Sequence, residues 1–268
     1  MFNAWFILCS IHSMMNQNKF SQSHLRDYLD TQAKAISAGS KQVSRHLSGK
    51  PVHELRLATR QARAVFWVLK NSSEHVRFKK LDRKLHRLGV TLGKVREIDV
   101  AISDANHYKI KSSDLIRDRT EAVKKLEKLV APDSRRKLRK LLKSARKSVH
   151  RMNSIEMTQA RKKLSEILRV QLAQEIEGPK QLHQLRITVK KARYAIEAMG
   201  QAKHPISRSN HPMKKLQDTL GQAHDLELLQ GFTGKNAKIN AKQNNLNAKA
   251  LLLSKPALNF AVSQLSES

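Results

Sequence analysis

Val52-His-Glu-Leu-Arg-Leu-Ala-Thr-Arg-Gln-Ala-Arg63 aligns without a gap on Leu182-His-Gln-Leu-Arg-Ile-Thr-Val-Lys-Lys-Ala-Arg193, and the histidine, leucine, first arginine, alanine and final arginine are identical. At about 100° per residue, His53, Arg56, Arg60 and Arg63 fall within about 80° of one another on a helix. Leu55, Ala58, Ala62, Val65, Phe66 and Leu69 take roughly the opposite side, so burying them turns the basic stripe away from the core. The second copy repeats the pattern, with His183, Arg186, Lys190 and Arg193 opposite Leu185, Ala192, Ala195, Ile196 and Met199. Two amphipathic helices with matching cationic faces are expected.

The likeness extends downstream. Thr91-Leu92-Gly93 matches Thr219-Leu220-Gly221, and Glu97 stands opposite Asp225. A repeat of this length predicts a duplicated helical unit. The stretch between His53 and His183 is longer than all the chain after His183. The second unit should therefore be shortened, by a hairpin lost or reduced. Elsewhere apolar residues recur every three or four positions, and alternating β-branched patterns are absent, which predicts an all-α fold. Helices are expected over about 21–47, 51–70, 75–103, 114–130, 134–151, 155–176, 180–199 and 212–230. Gly49-Lys50-Pro51 and Gly178-Pro179 punctuate the starts of the two repeated helices. From Thr233 to Asn247 the chain turns to Lys, Asn and Ala, which reads as a mobile linker before a short last helix near 248–265.

Of the 268 residues, 52 are Lys or Arg and 22 are Asp or Glu, a formal net charge of +30. Self-repulsion on that scale favours an anionic partner. Aromatic residues make up 4% of the chain, too few for the stacking platforms of single-stranded nucleic-acid binders. Cys9 is the single cysteine, which excludes an intramolecular disulfide and a thiolate zinc cluster, and suits a cytoplasmic setting. The apolar run from Ala4 to Ile11 lacks a preceding Lys or Arg and is too short to span a bilayer. Residues 1–19 thus read as an apolar leader or as an upstream start, with translation beginning at Met14 or Met15, and no membrane partner is expected.

Arginine forks make bidentate, charge-assisted hydrogen bonds to phosphate at any physiological pH. The histidines add donors whose charge rises beside phosphate. The His53–Arg63 stripe covers about 15 Å of helix axis, which suits an extended anion better than a single phosphate. A lone basic stripe is ordinarily a solvated flank. Repetition of the stripe with its histidine is what favours a site. Arg83 and Arg87 share a face opposite Leu81, Leu85 and Leu88 and extend the surface, as do Lys214 and Lys215. Arg135, Arg136, Lys137, Arg139 and Lys140 read as a solvated flank. Catalytic signatures are missing: there is no P-loop, no Gly-x-Gly-x-x-Gly and no His-Glu-x-x-His. Glu175 and Glu177 are followed by Pro179 where a Glu-x-Glu-x-Lys phosphohydrolase needs lysine. His53 with Glu54, and His204 with His211, lack a third metal ligand at convincing spacing. Glu97, Asp99 and Asp225 read as partners of basic residues. No cofactor or metal is expected.

These paired helices, each followed by Leu-Gly and an acidic position, resemble the CHAD family, the conserved histidine α-helical domain. Leu92-Gly93-Lys-Val-Arg96-Glu97-Ile-Asp99-Val100 is similar to that family's Leu-Gly-x-x-Arg-Asp-x-Asp-Val, with Glu97 for the usual aspartate. Leu216-Gln217-Asp218-Thr-Leu220-Gly221-Gln-Ala-His224-Asp225 is similar to its Leu-Gln-x-x-Leu-Gly-x-x-Asn-Asp, with His224 for the usual asparagine. Arg193-Tyr194-Ala195-Ile196-Glu197 matches its Arg-Tyr-x-x-Glu. The resemblance spans about 20–230. It implies two four-helix bundles related by a pseudo-twofold axis, within a domain over 20–268 made of repeats at about 20–155 and 156–268. It also implies a basic groove that binds inorganic polyphosphate, lined by His53, Arg56, Arg60, Arg63, His183, Arg186, Lys190 and Arg193 with Arg83 and Arg87 in support. Targeting to polyphosphate granules would follow. A nucleic-acid-binding basic protein is the alternative, since the same charge suits duplex backbones. With no carboxylate set for catalytic metal, polyphosphate incubated with the protein and Mg²⁺ or Mn²⁺ should release no phosphate above a no-protein control. Metal-dependent release that tracks the purified protein would contradict this.

Overall fold

A computed structural model describes residues 3–47, 49–69, 75–109, 113–152, 154–200 and 211–266, with side chains from residue 23 onward except 75–77, 154, 157 and 266. The described residues form nine helices and no strand. They are α1 (Asn3–Val43), α2 (Gly49–Val68), α3 (His75–His107), α4 (Ser113–Val130), α5 (Pro132–Val149), α6 (Ser154–Ala173), α7 (Pro179–Ala198), α8 (Pro212–Thr233) and α9 (Ala237–Ser266). The expected all-α class is what the structure has. The backbone of α1 runs unbroken from Asn3, so the apolar run at 4–11 is no separate element. The side chains of the proposed leader lie outside the described residues. No described helix is long and apolar enough to cross a membrane.

The helices follow from apolar spacing. Helix α3 carries Phe78, Leu81, Leu85, Leu88, Leu92, Val95, Ile98, Ala101 and Ala105 in steps of three and four, all buried. That stripe lets one helix span the core from end to end. Helix α2 buries Val52, Leu55, Ala58, Ala62 and Val65, and the hydroxyl of buried Thr59 donates to the Leu55 carbonyl at 2.7 Å. Helices α1 and α2 pack closely because Gly39 lies under Leu55, where an added Cβ would stand 3.3 Å from the leucine Cβ.

Helices α1 to α5 pack in sequence order, with α5 returning onto α1 and α3. Helix α9 covers α6 and α8. The two groups meet where α2 packs on α7 and α3 on α8, the four helices that carry the repeated motifs. A single apolar cluster runs through both. Ion pairs clamp the edges. Arg119 Nε donates to Asp99 at 2.6 Å and its Nη2 to the Leu47 carbonyl at 3.2 Å, while Arg146 grips Asp30 with both nitrogens of its fork.

The C-terminal segment differs from expectation. The Lys- and Asn-rich stretch is no linker: α9 is continuous over 30 residues. Composition misleads here because few anchors suffice. Ile239, Ala250, Ala257, Ala261 and Leu265 are buried at helical intervals, with Leu246 and Leu253 packed beside them. Asn236 caps the helix, its Oδ1 accepting from the backbone of Lys238 at 3.0 Å and Ile239 at 3.2 Å. Gly234, at φ 86°, supplies the left-handed turn between α8 and α9, and Gln230 donates to Gln243 across the hairpin at 2.7 Å. Pro256 is accommodated because it lies on the exposed side, near the 80% exposed Leu252. Among the described residues one helix thus follows α8, where α4 and α5 both follow α3. Ile239→Ala should lower unfolding free energy by about 2–5 kcal/mol, whereas a linker residue would be indifferent. Urea denaturation followed by circular dichroism measures the difference.

Candidate functional site

Packing of α2 on α7 brings the two basic stripes face to face. Arg56 and Arg60 come from α2, Arg186 and Lys190 from α7, and each is at least half-buried. Burial pushes the Arg56 guanidinium down to about 10, and repulsion from Arg60 adds to it. Arg60 and Arg186 are lowered for the same primary reason, with Arg60 acting on Arg186 across the interface. Lys190 is pushed furthest, to about 6, by burial and then by Arg186, Arg60 and Arg56. Arg60 stands close enough to lower Arg56 and Arg186, and all three arginines lower Lys190.

Two acids moderate this field. Glu97 of α3 lies 3.9 Å from Arg56, and Glu97 and Asp225 of α8 both favour the charged forms of Arg56, Arg60 and Arg186. These are the paired acidic positions of the repeat. They do not complete the hydrogen bonding: Arg56 Nε and Arg186 Nε are buried without a partner. The two orphaned donors belong to equivalent residues of the repeat, one on α2 and one on α7. A buried unpaired donor ordinarily costs about 1–3 kcal/mol, more when charged.

The remaining expected residues distribute unequally. His53 is exposed beside Arg96, Arg56 and Arg60, and burial of its ring together with those charges lowers its pKa. His183 is exposed, with its ring 6.0 Å from that of His224. Arg63 donates to Asp82 at 2.8 Å. Arg83 is exposed at the mouth of a cavity that Arg60, Arg186 and Lys190 also line. Arg87 stands by Lys84, which faces Lys137 of α5, and does not line that cavity. Arg193 is only 5% exposed, donates to Gln217 at 2.8 Å, lies 4.0 Å from Glu197 and sits 4.3 Å over the Tyr194 ring. Its fork is committed to Gln217 and to the face of Tyr194.

Two hollows meet at Arg186. One, of about 550 Å³, lies between α2, α3 and α7; the other, of about 110 Å³, is lined by His183, Arg186, His224 and Glu227. The second was legible only in part, through His224 standing where the motif has asparagine. His224 Nδ1 donates to the Glu227 carboxylate at 3.1 Å, and burial and Arg186 lower its pKa. Of the metal pairs considered, His204 lies outside the described residues, and His211 caps α8 by accepting from the Met213 backbone at 3.2 Å. Among the described residues no group of three or more His, Cys, Asp or Glu is placed to hold a metal.

The chain belongs to the CHAD domain family, whose model matches residues 27–233. Its fold is similar to the crystal structure of the CHAD domain from the plant Ricinus communis, with TM-score 0.59, 19% identity and 91% of each chain covered. It is also similar to PptA from Streptomyces chartreusis, with TM-score 0.58, 13% identity, and 92% of this chain and 99% of that one covered. No curated protein matches the sequence.

Lys190 generates a pH prediction. Its folded pKa, about 6, lies below the ordinary lysine value of 10.5, so the unfolded chain binds more protons between them. Stability from this group therefore falls as pH drops from about 10 towards 6 and is flat below that. Lys190→Met should raise unfolding free energy at pH 7 by about 1–3 kcal/mol, with the gain vanishing towards pH 10. Thermal melts of both proteins across that range measure it.

Proposed function

We propose that the protein binds inorganic polyphosphate in the groove between α2 and α7 without cleaving it, and so attaches to polyphosphate, granules included. The observation that carries this reading is the pair of buried, unpartnered Nε donors on Arg56 and Arg186 within a cluster of mutually repelling cations. An extended anion bonded to the accessible ends of these guanidinium groups draws them outward and relieves the repulsion along the whole stripe. It would also draw a proton onto Lys190, because a phosphate nearby favours the charged amine. Membership of the CHAD family supports the reading, as do the repeated His and Arg positions on both helices.

Nucleic acid is the second reading, favoured by the net charge of +30. A duplex meets exposed flanks such as α5 readily. It reaches half-buried arginines between two packed helices poorly, whereas a thin phosphate chain does so without distortion.

One experiment separates these readings and the solvated-flank alternative: competition between long polyphosphate and duplex DNA at matched charge and physiological salt. Polyphosphate should displace DNA from the parent protein. Arg56→Glu with Arg186→Glu should abolish polyphosphate binding with helicity retained, since each lost charge-assisted bond costs about 1.5–3 kcal/mol and a carboxylate adds repulsion. Lys137→Glu with Lys140→Glu changes net charge equally but should weaken binding only modestly, because an exposed flank is screened over about 8 Å. DNA winning the competition would favour the second reading. Equal losses in the two double variants would mean that the stripes are ordinary solvated faces.

A further inference from the structure

The larger hollow has a wall for which a bare phosphate chain has no use. Phe66, Trp67, Phe78 and Tyr194 all line it, although aromatic residues are only 4% of the chain. Phe66 and Phe78 are buried and stacked at 5.2 Å, which makes a stiff backing, while Trp67 is half-buried at the surface of the cavity. Lys191 stands over the Trp67 ring, 5.5 Å from its centre, a cation–π contact that a stacking base displaces. Arg60 of α2 and Arg186 and Lys190 of α7 line the same hollow. The same cavity holds a carboxylate, Asp82, beside Arg63. An acid is unfavourable against phosphate, yet it suits a neutral donor such as a ribose hydroxyl or an exocyclic amine. A volume of about 550 Å³ is of the size that receives a compact organic ligand.

We propose that this cavity binds the nucleoside end of a nucleoside di- or triphosphate, its base against Trp67, its sugar or base donors at Asp82, and its phosphates on Arg60, Arg186 and Lys190. The proposal rests on the groove being a phosphate site and adds an organic ligand class to it. Because Arg186 also lines the smaller hollow, the phosphate tail points along the path that a polyphosphate chain would follow. The two ligands therefore compete at the shared cations and differ only at the aromatic end.

Trp5 and Trp67 are the chain's two tryptophans, so in full-length Trp5→Phe protein the fluorescence reports Trp67 alone. ATP and tripolyphosphate are titrated into it in EDTA at one ionic strength, with calorimetry alongside and long polyphosphate as competitor. ATP should bind about tenfold or more tighter than tripolyphosphate, the range that base stacking on an aromatic ring supplies, and should quench Trp67. Trp67→Leu should remove that advantage and leave tripolyphosphate affinity unchanged, which also shows that the variant is folded. Tripolyphosphate binding as tightly as ATP to the parent protein would overturn the nucleoside proposal alone. If neither these compounds nor long polyphosphate bind, the polyphosphate reading falls with it.

Discussion

The close approach of α2 and α7 governs the molecule. Each helix buries an apolar face among its own neighbours, Leu55, Ala62 and Val65 on one and Leu185, Ala192 and Ala195 on the other. The cationic faces that remain are brought together by that packing. Charge repulsion alone would separate them. The apolar cluster running through both helical groups supplies the opposing force, since hydrophobic burial grows with area while the repulsion is confined to a few side chains. The cost is visible in the depressed affinity of Lys190 for its proton and in the arginine donors left unpaired. Structures that keep such a cost commonly do so at sites where a ligand relieves it.

The acidic residues set how far this can go. Glu97 and Asp225 approach from α3 and α8 and favour the charged state of the central arginines, so the groove stays cationic without being wholly unbalanced. They are too few to neutralise it. Arg193 shows a different use of the same residue type. Held by Gln217 and stacked on Tyr194, it acts as part of the wall. The α7 stripe thus contains one arginine, Arg186, that lines the hollows and one, Arg193, that is structural.

The environment beyond the stripes divides the surface charge into kinds. Lys84, Arg87 and Lys137 form a basic patch where α3 meets α5, separate from the hollow between α2 and α7. Such a patch contributes to the long-range field that draws anions in, and salt weakens it readily. The cations around Arg186 are partly removed from water, so their attraction is stronger and less screened by salt.

The all-α class and the two amphipathic His/Arg helices were legible in the sequence, because helical periodicity is a local property and the repeat doubled its signal. So were the punctuating glycines and prolines ahead of α2 and α7. The order of α9 was not: its anchors are small or widely spaced, and their burial depends on α6 and α8, which sequence does not place beside them. The same reason hid the division of labour within the stripe. Arg193 and Arg60 occupy neighbouring faces of similar helices, but only the contact with Gln217 and Tyr194 tells one from the other. Trp67, Phe78 and Tyr194 lie on three different helices and line one hollow through the packing of those helices. Sequence by itself determined which residues lie on which face of each helix. Tertiary structure decided which faces meet, and with that which charges are buried, paired or left for a ligand, because burial and repulsion depend on distance in space.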